Sequence, residues 1–299
     1  MKLGLYLATI VSAVLLLSSC SDSNTKESYV PSSKKMDLQT LKFGIHPYLN
    51  SKKMYIYYRP ILDLIETKLG DVDIVLETSA TYAEYNVKLY RGDFDVSLPN
   101  PFQTYNSLSK GYKVIARMKP DSVFRGIFVV RKDSNIKTVS QLKGKNVSFP
   151  APTALAATMM PLLYLHEHGL DVKKDIVKKY VGSQYSSILN VFSSDTIAGA
   201  TWPPPWESWK RENADKAKEM EVVWQTESLI NNGVVVKKGI DEEIVKKIVN
   251  VLVNLDTTPK GKVLLGNAGF DGFIESDNSD YDVVADFLIK YNKAMGTTE

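Results

Sequence analysis

Residues 147–168 read V-S-F-P-A-P-T-A-L-A-A-T-M-M-P-L-L-Y-L-H-E-H, and the fold class follows from how this stretch divides. Val147-Ser148-Phe149 is a short apolar run of strand type, Pro150 and Pro152 bracket a turn, and the residues through Tyr164 keep helical apolar spacing. Strand, tight turn and helix in that order are the repeating unit of an open α/β sheet. In such sheets ligands bind in the crevice beyond the carboxyl ends of the strands, where the following helices present free N–H groups. The stretch is read as one wall of a solute-binding cleft.

The same pattern extends to both sides. Towards the N-terminus, strands are expected at Leu41 to Ile45, Ile74 to Leu76 and Phe94 to Leu98, each followed by a helix. The first helix is placed at about Met54 to Leu69, with Pro60 near its start. Strands Val114 to Met118 and Gly126 to Val130 come next. Beyond His168 the unit recurs as strand Ile176 to Val181, helix Tyr185 to Phe192 and strand Ile197 to Thr201. Short connections between such units imply parallel pairing and right-handed crossovers. Trp202-Pro203-Pro204-Pro205-Trp206 cannot be strand or helix interior across its prolines; it is a stiff loop that opens a helix, with Pro205 in the first turn. Val222 to Trp224 and Val234 to Val236 are strands that can return towards the first lobe, and Asp241 to Leu255, Pro259 to Leu265 and Asp280 to Tyr291 are read as helical.

The 299 residues, 44% hydrophobic and 24% charged, suffice for two lobes with their own cores. The formal charge of +3 is spread along alternating Lys and Asp/Glu, without the basic face of a duplex binder, so nucleic acid is not an expected partner. Lys2, an apolar run through Leu17, and Leu17-Ser18-Ser19-Cys20 form a secretory signal too short to span a bilayer stably. Its ending resembles the bacterial lipoprotein signal, in which the cysteine is lipidated and becomes the new N-terminus. Cys20 is the only cysteine, so no internal disulfide competes for it; a cleaved signal with an incidental cysteine, or an uncleaved anchor, are the alternatives. Residues 1–19 are thus assigned as signal and 20–39 as a flexible tether. Residues 40–122 and 226–299 are assigned to one lobe and 123–225 to the other, all on the outer side of a membrane.

Several stretches together resemble a known family. Phe43-Gly44-Ile45 with Tyr48, Arg59-Pro60, Gly92 to Ser97 running into Asn100-Pro101, Val129-Val130-Arg131-Lys132-Asp133-Ser134 and Leu142-Lys143-Gly144-Lys145 are similar to substrate-binding proteins of phosphate/phosphite/phosphonate ABC transporters. The resemblance runs from about Leu41 to Leu255. It implies a type II periplasmic-binding-protein fold: α/β, two lobes, each a mostly parallel sheet flanked by helices, with the ligand between them. It also implies a small-molecule ligand, a membrane permease as partner, and neither catalysis, cofactor nor metal.

The resemblance implies where the ligand sits and shows departures there. The family's Ser-Thr-Ser turn, which holds phosphonate oxygens, falls on Ala154, Leu155 and Ala156. Its Gly-Ser-His turn falls on Gly182-Ser183-Gln184, and its acidic residues for a ligand amine fall on the prolines after Trp202. Each lost donor to a desolvated oxyanion leaves a penalty of about 1 to 3 kcal/mol. Thr153 and Thr158 are the nearest hydroxyls. What stands in place of the lost groups is aromatic: Tyr48, Tyr82, Phe102, Trp202 and Trp206 lie at or just after strand ends. Such rings hold a methylammonium group at about 0.5 to 2 kcal/mol per contact, or stack a planar ligand; equally, they are ordinary core residues. With Asn100, Ser183 and Gln184 these form the expected site. His46 is a weaker candidate, as are Glu207 and Asp195, while His166 and His168 are spaced wrongly to share a metal on a helix.

Three functions remain open on these grounds. The first is a lipid-anchored binding protein that closes on an oxyanion, a phosphonate or a small amine or zwitterion and delivers it to an ABC permease. The second is a sensing lipoprotein that docks on a membrane sensor kinase. The third is an enzyme on the same scaffold, disfavoured because the chain has no Gly-x-Ser-x-Gly elbow, metal-spaced His/Cys set or dinucleotide fingerprint.

Overall fold

A computed structural model of the protein describes residues 39–297. The expected signal, Cys20 and all but the last residue of the expected tether lie outside the described residues. In chain order the first elements are β1 (Gln39–Ile45), α1 (Ser51–Leu69), β2 (Val72–Glu77), α2 (Tyr82–Arg91), β3 (Val96–Leu98), α3 (Pro101–Leu108) and β4 (Tyr112–Lys119). The chain then crosses to β5 (Ile127–Arg131), β6 (Lys145–Phe149), α4 (Met160–Glu167), β7 (Ile176–Tyr180), α5 (Gln184–Phe192), β8 (Ala198–Thr201), α6 (Pro203–Glu212), α7 (Ala214–Ala217) and β9 (Met220–Gln225). It returns through β10 (Gly233–Lys237), α8 (Glu242–Val253), α9 (Pro259–Ala268), β11 (Gly272–Glu275) and α10 (Asp282–Met295).

Two mixed sheets result, one ordered β11-β4-β10-β3-β1-β2 and the other β7-β6-β8-β5-β9. The expectation of mostly parallel sheets holds for β1 with β2 and β3, and for β6 with β7 and β8. The remaining pairings are antiparallel, because β10, β11, β5 and β9 lie at or beyond the two points where the chain changes sheet. The two crossings run side by side. Leu229 N–H donates to Phe124 O at 3.0 Å, Thr226 N–H to Gly126 O at 2.9 Å, and Asn231 Nδ2 to Pro120 O at 3.0 Å. A double-stranded connection of this kind permits bending while resisting dissociation of the lobes.

Local sequence accounts for the elements. In α1, Met54, Tyr58, Ile61, Leu62 and Ile65 recur on one face and are buried. Asn50 caps the helix by accepting from Lys53 N–H at 3.0 Å. The helix therefore starts three residues earlier than its apolar period indicates, and Pro60 falls in its interior. The three C-terminal helices fall where their apolar spacing places them, and between the last two Gly272–Glu275 adds an edge strand to β4 that the sequence reading leaves unassigned. The largest core cluster, drawn mainly from α1, β1, α8 and α9, also takes in Phe124, Leu155, Ala156, Met159 and Trp202 of the crossing and the second lobe. The lobes thus share apolar packing.

The opening stretch folds as strand, turn and helix, with one departure. Leu155–Met159 forms a π-helical turn before α4 begins. Pro161 explains the widening: its ring would clash with the carbonyl four residues back, Ala157, in a regular α-helix. Gly126 of the crossing packs against this turn. A Cβ there would lie 2.5 Å from Ala156 O and 2.6 Å from the Pro161 ring.

Candidate functional site

The cleft between the lobes is built almost wholly from residues that follow the carboxyl ends of strands. His46 follows β1, Tyr82 begins the helix after β2, and Asn100 follows β3. On the facing side Ala154 to Ala157 follow β6, Gln184 begins the helix after β7, and Trp202 follows β8, with Phe124 of the crossing closing one end. The space they enclose is about 10 Å3, the room of one water molecule. A ligand enters only as the lobes part.

At the second lobe's wall the polar groups are backbone. Ala154 O accepts from Thr158 N–H at 2.7 Å and from Met159 N–H at 3.4 Å. Among the described residues no group accepts from the N–H of Leu155, Ala156 or Ala157, the first residues of the π-helical turn. Unpaired donors at a helix start carry partial positive charge and favour anions. Trp202 is the N-cap of α6, but Pro203, Pro204 and Pro205 fill its first three positions, so this helix offers no N–H to the cleft. Among the lining residues none is Lys, Arg, Asp or Glu.

At the first lobe's wall stands His46, 2% exposed. Its Nδ1 lies 2.9 Å from Leu98 O. A carbonyl only accepts, so Nδ1 carries the hydrogen and the neutral ring keeps a lone pair on Nε2. Burial pushes the imidazole down to about 4, partly offset by the hydrogen bond to Leu98. Rings of Tyr48, Tyr82 and Tyr85 surround it at 5.2, 6.1 and 6.3 Å. Burial pushes all three phenols well above their ordinary range.

Several expected site residues instead tie the lobes together. Asn100 caps α3 through Oδ1, which accepts from Gln103 N–H at 3.1 Å, and its Nδ2 donates to Thr153 O at 3.0 Å across the cleft. Asn86 Nδ2 donates to Thr153 Oγ1 at 3.4 Å. Gln184 Nε2 donates to Tyr82 Oη at 3.2 Å while its Oε1 accepts from Thr201 at 2.8 Å. Tyr48 meets Trp202 edge to face at 5.5 Å, and Lys53 pairs with Glu212 near the rim.

Other expectations are corrected. Trp206 does not reach the cleft; it stacks on Trp209 at 5.5 Å in the second lobe's core with Ile127 and Val129. Phe102 is half-buried against the shared core, not in the cleft lining. Ser183 caps α5, accepting from Ser186 N–H at 3.0 Å. Tyr48 is spent on Trp202 and on Tyr58, whose hydroxyl is 2.7 Å away, so among the described residues these rings form no open aromatic cage. Glu207 pairs with Lys210 on the surface, and Asp195 lines a separate surface groove. His168 stacks on Tyr164 at 3.9 Å; among the described residues no group of His, Cys, Asp and Glu is arranged to hold a metal. Thr158 Oγ1 is buried without a partner, and we have no physical account of it. Sequence reasoning underweighted His46 and missed Phe124 and Ala157. For Phe124 the available signal was its being the lone aromatic of the short link between the two strands Val114 to Met118 and Gly126 to Val130.

With this geometry in hand, comparison with known proteins is decisive. A profile of the family described as ABC transporter, phosphonate, periplasmic substrate-binding protein matches residues 43–281. The chain belongs to this family. It is 28% identical over 204 residues to the probable ABC transporter phosphite-binding protein PhnD1 of Prochlorococcus marinus, covering 64% of this chain and 67% of that one. It is similar in fold to a binding protein component of an ABC phosphonate transporter from Pseudomonas aeruginosa, with TM-score 0.79, 14% identity and coverage of 86% and 88%. It is also similar to PhnD1 from Prochlorococcus marinus in complex with methylphosphonate, with TM-score 0.77, 21% identity and coverage of 86% and 100%. The fold of this phosphonate-type binding protein is the type II periplasmic one, and its relatives are binding proteins of transporters rather than enzymes.

Proposed function

We propose that this phosphonate-type binding protein is a lipid-anchored receptor that closes on a small oxyanion and presents it to an ABC permease. The observation that carries the reading is the run of unpaired N–H groups at Leu155, Ala156 and Ala157, facing His46 across a cleft without charged side chains. The relatives named for phosphite and for methylphosphonate support the ligand class. The altered turn, Ala154-Leu155-Ala156 in place of hydroxyls, supports a ligand held by backbone donors. Trp202, Phe124 and Leu155 provide its apolar floor. Tyr48, Tyr82, Asn100, Thr153 and Gln184 act on the ligand by holding the lobes shut around it.

Anchoring rests on Leu17-Ser18-Ser19-Cys20. Labelled palmitate should enter the wild-type protein and not C20S; equal labelling would sink the anchor. For the ligand, calorimetric titration with phosphite, methylphosphonate, phosphate and trimethylammonium compounds is the test. Binding of an oxyanion and no response to the cations is expected. A response to the cations alone would replace the oxyanion reading with one based on the aromatic rings.

A further inference from the structure

We infer that His46 makes the cleft select an oxyanion that still carries a proton, with Nε2 accepting from the ligand's hydroxyl while the N–H groups of Leu155, Ala156 and Ala157 hold its charged oxygens. This rests on the oxyanion reading above and narrows it to one protonation state.

The geometry supplies three constraints. The Nδ1 contact with Leu98 O at 2.9 Å fixes the hydrogen on that nitrogen. Nε2 is thereby left as an acceptor in a ring that is 2% exposed and lines the cleft, with no partner for it among the described residues. Finally, the facing wall has three unpaired N–H donors and the lining has no cationic side chain. A dianion would place a second charge, without a counterion, against a lone pair. A monoanion with one hydroxyl satisfies both walls, since its hydroxyl donates to Nε2 and its other oxygens accept.

The proton stays with the ligand. Burial holds the imidazole down to about 4, below the second ionisation of a phosphate-type group, near about 6. The titratable side chains facing the ring are Tyr48, Tyr82 and Tyr85. Burial keeps all three neutral through the physiological range, so none competes for the proton.

The experiment is calorimetric titration of the wild-type protein with methylphosphonate and with methanesulfonate from pH 6 to 9, in two buffers of different ionisation heat. Above the ligand's second ionisation, methylphosphonate affinity should fall about tenfold per pH unit, with one proton taken up on binding. Methanesulfonate, which has no hydroxyl at these pH values, should bind at least tenfold more weakly at pH 6, as expected when a buried acceptor is left unpaired. In His46→Gln, whose amide can also donate, the pH slope should flatten and the gap between the two ligands close. Methylphosphonate affinity that is level or rising with pH, or equal binding of the sulfonate, overturns the proton assignment and leaves the oxyanion reading standing. No binding of these two ligands, of phosphite or of phosphate at any pH overturns both. The wild-type measurements decide the matter even where the variant does not fold.

Discussion

Because His46 is buried in the cleft wall, the ligand-free protein should be selectively weakened by acid through this one residue. In the folded state burial holds its imidazole down to about 4, whereas the ordinary value is 6.5. Between those values the unfolded chain binds a proton that the folded chain does not, so stability falls as pH drops from 6.5 towards 4 and is fully retained above 6.5. A shift of this size corresponds to about 3 kcal/mol at 1.36 kcal/mol per unit. The perturbation is His46→Gln, whose amide can keep a donor on Leu98 O and does not titrate. The assay is urea unfolding of both proteins at pH 7, 6, 5 and 4, following the difference between them. Carboxylates protonate alike in both proteins and cancel. The wild type should lose about 3 kcal/mol relative to the variant between pH 7 and 4. A difference independent of pH would refute the reasoning, and would mean that His46 is solvated because the lobes stand apart without ligand.

Three further outcomes follow from the packing. Trp206→Ala should cost about 3 to 5 kcal/mol of unfolding free energy and leave ligand affinity within twofold, while Trp202→Ala should weaken affinity more than tenfold; the reverse pattern in denaturation and titration would exchange their roles. Gly126→Ala drives a Cβ to 2.5 Å from Ala156 O at a cost of about 1 to 3 kcal/mol, so small-angle scattering should report a larger radius of gyration, and an unchanged radius would count against close packing of crossing and cleft. Asn100→Ser keeps a good cap on α3 but removes the donor to Thr153 O; global stability should change by less than about 1 kcal/mol while single-molecule distances between the lobes lengthen, and unchanged distances would show that this bond is not a latch.

Much of the architecture was legible because it rests on short-range rules. Apolar period, Gly and Pro punctuation and Asn or Ser caps mark the parallel units on either side of each lobe's ligand-facing edge. They also place His46, Asn100, the turn after β6, Gln184 and Trp202 at strand ends, where lining residues belong. The edge strand Gly272–Glu275 escaped because four residues carry too little periodicity to read, and its pairing to β4 is made by a partner more than 150 residues away in sequence.

For the site, sequence by itself determined which groups are present: a turn without hydroxyls at Ala154-Leu155-Ala156, three prolines that remove N–H donors after Trp202, and no charged side chain at the expected positions. Only the tertiary structure decided what those groups do. Whether a ring such as Trp206 packs inward or faces a ligand depends on which neighbours fill the space around it, and Trp209 fills it. Whether Asn100 donates to a ligand or to the opposite lobe depends on how near Thr153 comes. The tautomer of His46, and with it the proton that its partner must carry, is set by Leu98 O, 52 residues away in sequence. The turn that opened the reading remains a wall of the cleft, where folding leaves the N–H groups of Leu155, Ala156 and Ala157 unpaired, and it is on these donors that the proposed anion site rests.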